Sequence, residues 1–181
     1  MQKHNTSVKK ISIQSNQYLN DTIKNIPTGC TLIQGGTGIG KTTFVLNTLT
    51  KNHRVVMLVP SRGQVNQLAQ EYKNHQNMVF ITGDTKKDED LSQYQKHHIV
   101  ATYDQFSRLR AAMDFENTLL VVDEAHKTYS VGSYRDRALN PILDALHHHR
   151  EEFDKILLLT ATYTEELAAL ANMKLDTWYK V

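Results

Sequence analysis

The sequence predicts an α/β fold, a three-layer arrangement with a mostly parallel central sheet flanked by helices. Two observations carry this. Short apolar runs alternate with helix-period stretches along almost the whole chain, the pattern of a parallel sheet covered on both faces. The first full run then leads straight into a glycine-rich loop and a helix-forming stretch, the strand–loop–helix junction of a doubly wound sheet.

Residues 1–15 are a polar lead-in with no apolar signal-peptide core. The strand runs are 30–34, 55–59, 78–81, 99–102, 119–123 and 156–160. Helical patterns lie between them. Residues 42–52 carry Phe44, Val45, Leu46 and Leu49. Residues 64–74 carry Val65, Leu68, Ala69 and Tyr72. Residues 103–113 carry Phe106, Leu109 and Ala112. Asn140 and Pro141 read as an N-cap and first helical residue, opening a helix with Ile142, Leu143 and Leu146. A last helical pattern covers 167–170, and Thr162 with Glu165 spells a capping box ahead of it.

A length of 181 residues fits one domain with a real core. No apolar run approaches the roughly 20 residues of a membrane span. Cys30 is the single cysteine, so an internal disulfide is excluded and a reducing, cytoplasmic compartment is expected. A net charge of +2 permits a local nucleic-acid groove without arguing for one. His147, His148 and His149 are consecutive on a helix and cannot share one ion. They read as a solvated face. The charged stretch 84–90 reads as a solvated excursion.

The glycine loop is chemically specific. Gly35, Gly36, Thr37, Gly38, Ile39, Gly40, Lys41 and Thr42 fit G-x-x-x-x-G-K-[ST]. Glycines let the backbone approach closely and take φ > 0. Backbone N–H groups and a helix start then face one phosphate, and Thr43 continues that helix. Lys41 suits the β- and γ-phosphates, and the Thr42 hydroxyl suits Mg²⁺. The chain is expected to bind a nucleoside triphosphate.

A second motif ends the run 119–123. Charges cannot lie inside a buried strand, so Asp123 and Glu124 must emerge at its end. There Asp123 is placed to hold Mg²⁺ with Thr42, and Glu124 to orient or deprotonate a water. Ligands of such sheets sit at the carboxyl ends of strands, which gathers Pro60-Ser61-Arg62, Thr102-Tyr103-Asp104 and Thr160-Ala161-Thr162 onto the same surface.

Asp123-Glu124-Ala125-His126 spells a DEAH box. With the glycine loop before it and Thr160-Ala161-Thr162 after it, the chain resembles the first RecA-like domain of superfamily 2 helicases, over about residues 10 to 181. The resemblance implies an ATP-dependent helicase or ATPase of the P-loop NTPase class. Lys41 and the loop would bind phosphates, Thr42 and Asp123 would hold Mg²⁺, and Glu124 would be the catalytic base. His126 would link the γ-phosphate site to Thr160, Ala161 and Thr162, which couple hydrolysis to movement. Ser61, Arg62 and Thr102 would contact the backbone of DNA or RNA. Asp104 fits either this interface or a helix cap. Gln14 and Gln17 are both candidates for adenine recognition, with Gln17 preferred and Tyr18 placed to stack on the base.

Such helicases use two RecA-like domains, and the second supplies arginines to the γ-phosphate. No second domain is visible in the sequence. Residues 174–181 read as a last strand or the start of an interdomain linker. The partner domain is therefore expected in cis or in trans, and this chain alone is expected to turn over ATP poorly. A second functional reading is a nucleotide-dependent regulatory module that binds a protein and no nucleic acid.

Overall fold

The computed structural model describes residues 7–14, 17–128, 136–162 and 174–181. Eight strands form one all-parallel sheet: β1 (Ser7–Lys10), β2 (Gly29–Gln34), β3 (Arg54–Val59), β4 (Met78–Ile81), β5 (His98–Thr102), β6 (Thr118–Val122), β7 (Lys155–Thr160) and β8 (Thr177–Lys180). Their order is β1-β8-β2-β7-β6-β3-β5-β4. The α-helices among the described residues are α1 (Leu19–Thr22), α2 (from Lys41), α3 (Arg62–Glu71), α4 (Phe106–Ala112) and α5 (Asp136–His148).

Alternation along the central strands builds two cores, one on each face of the sheet. Val56, Leu58, Leu120 and Val122 pack with Phe106 and Leu109 of α4 and with Ile142 and Leu146 of α5. Val55, Met57, Leu119 and Val121 pack with Leu19, with Phe44, Val45 and Leu49, and with Val65 and Leu68 of α3. This is the three-layer α/β arrangement that the alternating runs predict.

Four differences have physical causes. Residues 7–10 lie in the polar lead-in, yet they pair with β8 as an edge strand. All four side chains are exposed, so no apolar period marks them. The 42–52 stretch is a broken helix. Lys41–Thr43 is α-helical, and the Leu49 N–H then bonds both the Phe44 and Val45 carbonyls through a wide π-turn. That turn lets Phe44, Val45 and Leu46 all bury. The segment 103–113 opens as a 3₁₀ turn (Tyr103–Gln105) before α4. Finally, Asn140 is not an N-cap, and Pro141 lies inside α5. Leu139 is buried on the same stripe as Ile142 and Leu146, so the helix starts a turn earlier despite the N–H that proline removes.

Residues 174–181 contain β8, seated between β1 and β2. The 167–170 pattern, and residues 163–165 of the capping box, lie outside the described residues. His147 and His148 are exposed, and His149 is half-buried. Among the described residues, no helix is long and apolar enough to cross a membrane. Cys30 is buried, and burial pushes its thiol up to about 12.

Candidate nucleotide-binding site

The sheet order puts β2, β7, β6 and β3 side by side, and their registers align their carboxyl ends. Gln34 pairs with Thr160, Val122 with Leu158, and Leu58 with Val122. The glycine loop, the Thr160 segment, the Asp123 segment and Ser61 therefore emerge along one rim.

In the loop, Gly38 has φ 82° and Gly40 has φ 81°, both in the region that favours glycine. Lys41 Nζ donates to the carbonyls of Gly35 and Gly36, each at 2.8 Å. Burial lowers the Lys41 pKa, opposed by the charges of Asp123 and Glu124. The segment before α1 runs along this loop. The Leu19 N–H donates to the Ile39 carbonyl at 2.9 Å, and Tyr18 lies against Gly40 while 58% exposed. Gln17 is exposed, with its Oε1 3.4 Å from the Gln14 amide nitrogen.

Asp123 leaves β6 nearly buried, at 7% exposure. Burial first, and Glu124 second, push its carboxyl up to about 6. Glu124 takes a left-handed turn, φ 52°, and its N–H donates to Asp123 Oδ1 at 3.0 Å. Its carboxylate lies 3.5 Å from His126 Nε2. The other ring nitrogen, Nδ1, lies 3.1 Å from Thr160 Oγ1. Thr160 Oγ1 also stands 3.1 Å from the Thr162 carbonyl.

Thr42, Thr43 and Asp123 line a cavity of about 160 Å³ with Gln64 and Gln67 of α3. A threonine hydroxyl and a desolvated carboxylate are hard oxygen donors facing one space, which fits Mg²⁺. Among the described residues no group of three or more His, Cys, Asp or Glu could cage a metal.

Ser61 caps α3, its Oγ accepting from the Gln64 N–H at 3.3 Å. Arg62 is exposed and paired with Asp84, a partner that the sequence does not reveal. Thr102 sits differently from Ser61 and Arg62. It is the last residue of β5, 2% exposed, and its hydroxyl is enclosed without a hydrogen-bond partner among the described residues. The exposed polar residue of that segment is Asp104. Tyr103 also turns inward. Its hydroxyl donates to the Asp123 carbonyl and lies 3.3 Å from that of Glu124. Only a strand end followed by a buried aromatic signals this in the sequence.

Fold and rim together define an α/β nucleotide-binding domain of helicase type. The family model of the DEAD/DEAH box helicases matches residues 16–170, and the chain belongs to that family. The fold is similar to that in the crystal structure of the Pyrococcus furiosus Hef helicase domain, with TM-score 0.59 and 21% sequence identity. The match covers 85% of this chain and 35% of that one, so the chain spans about a third of its length. Among curated proteins, none matches the sequence.

Proposed function

We propose that this chain is the ATP-binding half of a nucleic-acid motor. The observation that carries the reading is the adjacency of three strand ends. The glycine loop follows β2, Thr160 ends β7, and Asp123 follows β6, in neighbouring positions of the sheet. The DEAD/DEAH box family supports ATP as the nucleotide.

The residues divide the work by their chemistry. Gly35, Gly36, Thr37, Gly38, Ile39 and Gly40 cradle phosphates with backbone N–H groups, and Thr43 extends the helix behind them. Lys41 exchanges the loop carbonyls for phosphate oxygens, which restores a strong partner to a partly buried ammonium. Thr42 and Asp123 hold Mg²⁺, which when bound neutralises charge on the phosphates. Glu124 orients a water and accepts its proton. His126 ties that carboxylate to Thr160, Ala161 and Thr162. Tyr18 offers a face to the adenine and Gln17 an amide to its edge.

Ser61 and Arg62 contact a DNA or RNA backbone. A second RecA-like domain, in cis or in trans, closes over the site and completes it. Residues 1–181 form a single RecA-like unit that turns over ATP weakly alone. The setting is the reducing cytoplasm.

The test is paired. Glu124→Gln should keep Mg-ATP binding and remove hydrolysis; unchanged hydrolysis takes Glu124 out of its role. Binding to single-stranded DNA and RNA, titrated with salt, should weaken as salt rises. No salt-dependent binding to either, with or without ATP, moves the function to a nucleotide-gated protein contact.

A further inference from the structure

Tyr103 has no role in the reading above, yet its placement is specific. It is the first residue beyond β5 and only 6% exposed. It belongs to the same buried core cluster as Val122 and Ala125, and its hydroxyl reaches past β3 to the end of β6. There it donates to the carbonyl of Asp123 and approaches that of Glu124. Glu124 is held with φ 52°, a conformation that residues with a Cβ seldom adopt and that persists where the surroundings impose it. The same carbonyl of Glu124 accepts from the Lys127 N–H at 2.8 Å. The left-handed turn that aims Glu124 at His126 is therefore pinned from two sides, and one pin belongs to a different strand.

The segment that carries Tyr103 is tied outward as well. Gln105 Nε2 lies 2.5 Å from the Asp104 carboxylate. Arg108 donates to Gln105 Oε1 and to the Lys86 carbonyl, both at 2.8 Å. Residues 82–86 form a tight turn in which the Thr82 hydroxyl accepts from the Asp84 N–H at 3.2 Å. Asp84 in turn pairs with Arg62. Hydrogen bonds and one ion pair, joined by the short backbone spans 84–86 and 103–105, thus lead from an exposed arginine at one strand end to the Asp123-Glu124 junction at another. Tyr103 is the last link, and it is buried together with Gln105, at 6% and 5% exposure.

We propose that Tyr103 is the positioning residue through which backbone contact at Arg62 and the 82–86 turn sets the conformation of Glu124. This rests on the reading that the chain binds both ATP and a nucleic-acid strand. A phosphate that takes Arg62 from Asp84 frees the turn. The turn shifts Arg108 and the 103–105 segment, and the Tyr103 hydroxyl carries the shift to the carbonyls that fix Glu124. A network of this kind earns a coupling role only by measured coupling between the two sites. Such coupling is reciprocal.

The experiment measures it directly. A non-hydrolysable ATP analogue with Mg²⁺ is titrated into the chain with and without a saturating labelled single strand, DNA in one series and RNA in another. The strand is then titrated with and without the analogue. In the unmutated chain the two should alter each other's affinity by about fivefold or more. Tyr103→Phe, which removes only the hydroxyl, should leave each single affinity within about threefold and cut the mutual factor below about twofold. A thermal melt shows that the variant is folded. Arg108→Met breaks the same route at the surface, outside the core, and should also lower the factor. Coupling that survives in Tyr103→Phe overturns the proposal, whatever Arg108→Met does, as does its absence in the unmutated chain. Failure of the unmutated chain to bind either ligand overturns the functional reading, and this inference with it.

Discussion

His126 bridges Glu124 and Thr160: its Nε2 lies 3.5 Å from the Glu124 carboxylate and its Nδ1 3.1 Å from the Thr160 hydroxyl. One ring thus spans β6 and β7 at the rim where the glycine loop also ends. His126→Ala should leave Mg-nucleotide affinity within about threefold, because the phosphate-facing groups are untouched. It should reduce the stimulation of ATP hydrolysis by nucleic acid, in the assembly with a second RecA-like domain, by about 2- to 30-fold. Steady-state hydrolysis with and without a saturating strand checks this. Stimulation equal to that of the unmutated protein would remove His126 from the coupling route.

The Asp123 carboxyl predicts a pH signature. Burial, with Glu124 beside it, lifts it from 3.8 to about 6. Between those values the folded state holds more protons than the unfolded state, so this group's contribution falls as pH rises through that window. At neutral pH the buried carboxylate is a net cost on the order of 1–3 kcal/mol. Asp123→Asn should therefore raise the melting temperature of the nucleotide-free protein at pH 7.5, while weakening the Mg²⁺-dependent part of nucleotide binding. The gain should shrink near pH 4. His53 and His98, whose pKa values burial lowers, contribute the opposite slope. The readout is thus the difference between variant and unmutated protein across pH. A destabilised variant at pH 7.5 would contradict this electrostatic account.

The strand plan is legible because central strands carry unbroken apolar runs. Val55, Val56, Met57, Leu58 and Val59 have no polar interruption, and all are buried. What escapes the sequence is set by partners distant in the chain. Residues 7–10 become a strand only because β8 offers an edge to pair with. The start of α5 depends on the burial of Leu139, which outweighs the proline that follows it. At the site, motif residues reach one rim through the strand order. Their neighbours are invisible in one dimension. Tyr103 reaches the Asp123 carbonyl across 20 positions, and Asp84 meets Arg62 across 22. Thr102 shows the converse, a residue type suited to a backbone contact whose strand position encloses it.

The Arg62–Asp84 pair predicts a competition. Its side chains are 59% and 66% exposed, so the pair is worth at most about 1 kcal/mol. A phosphate must displace Asp84 to reach the guanidinium. Asp84→Asn should raise affinity for a single strand by about two- to fivefold at low salt, with the gain fading as salt increases. Arg62→Ala should weaken binding and reduce the slope of log affinity against log salt by about one. Fluorescence anisotropy over a salt series reads both. Equal affinities for the unmutated protein and Asp84→Asn at every salt would detach this pair from the interface.

Two glycines should separate stability from binding. Gly29 has φ 92°, and a Cβ there would overlap the Asp176 carboxylate, which accepts the Cys30 N–H at 2.7 Å. Gly29→Ala therefore adds backbone strain to a forced retreat of Asp176 from a buried amide, for a loss of about 2–4 kcal/mol. The glycine loop lies at the other end of β2, so nucleotide affinity should survive below the melting transition. Gly38 has φ 82° but open space where its Cβ would stand. Gly38→Ala should cost only the strain of a left-handed residue, about 1–2 kcal/mol. Its methyl group would instead stand in a loop whose proposed task is to bring backbone N–H groups against phosphate, where close approach excludes side chains. Denaturant melts paired with nucleotide titration should show Gly29→Ala unstable but competent, and Gly38→Ala stable but weak in binding. The reverse assignment would mean that the loop at 35–42 is scaffold and not the phosphate cradle.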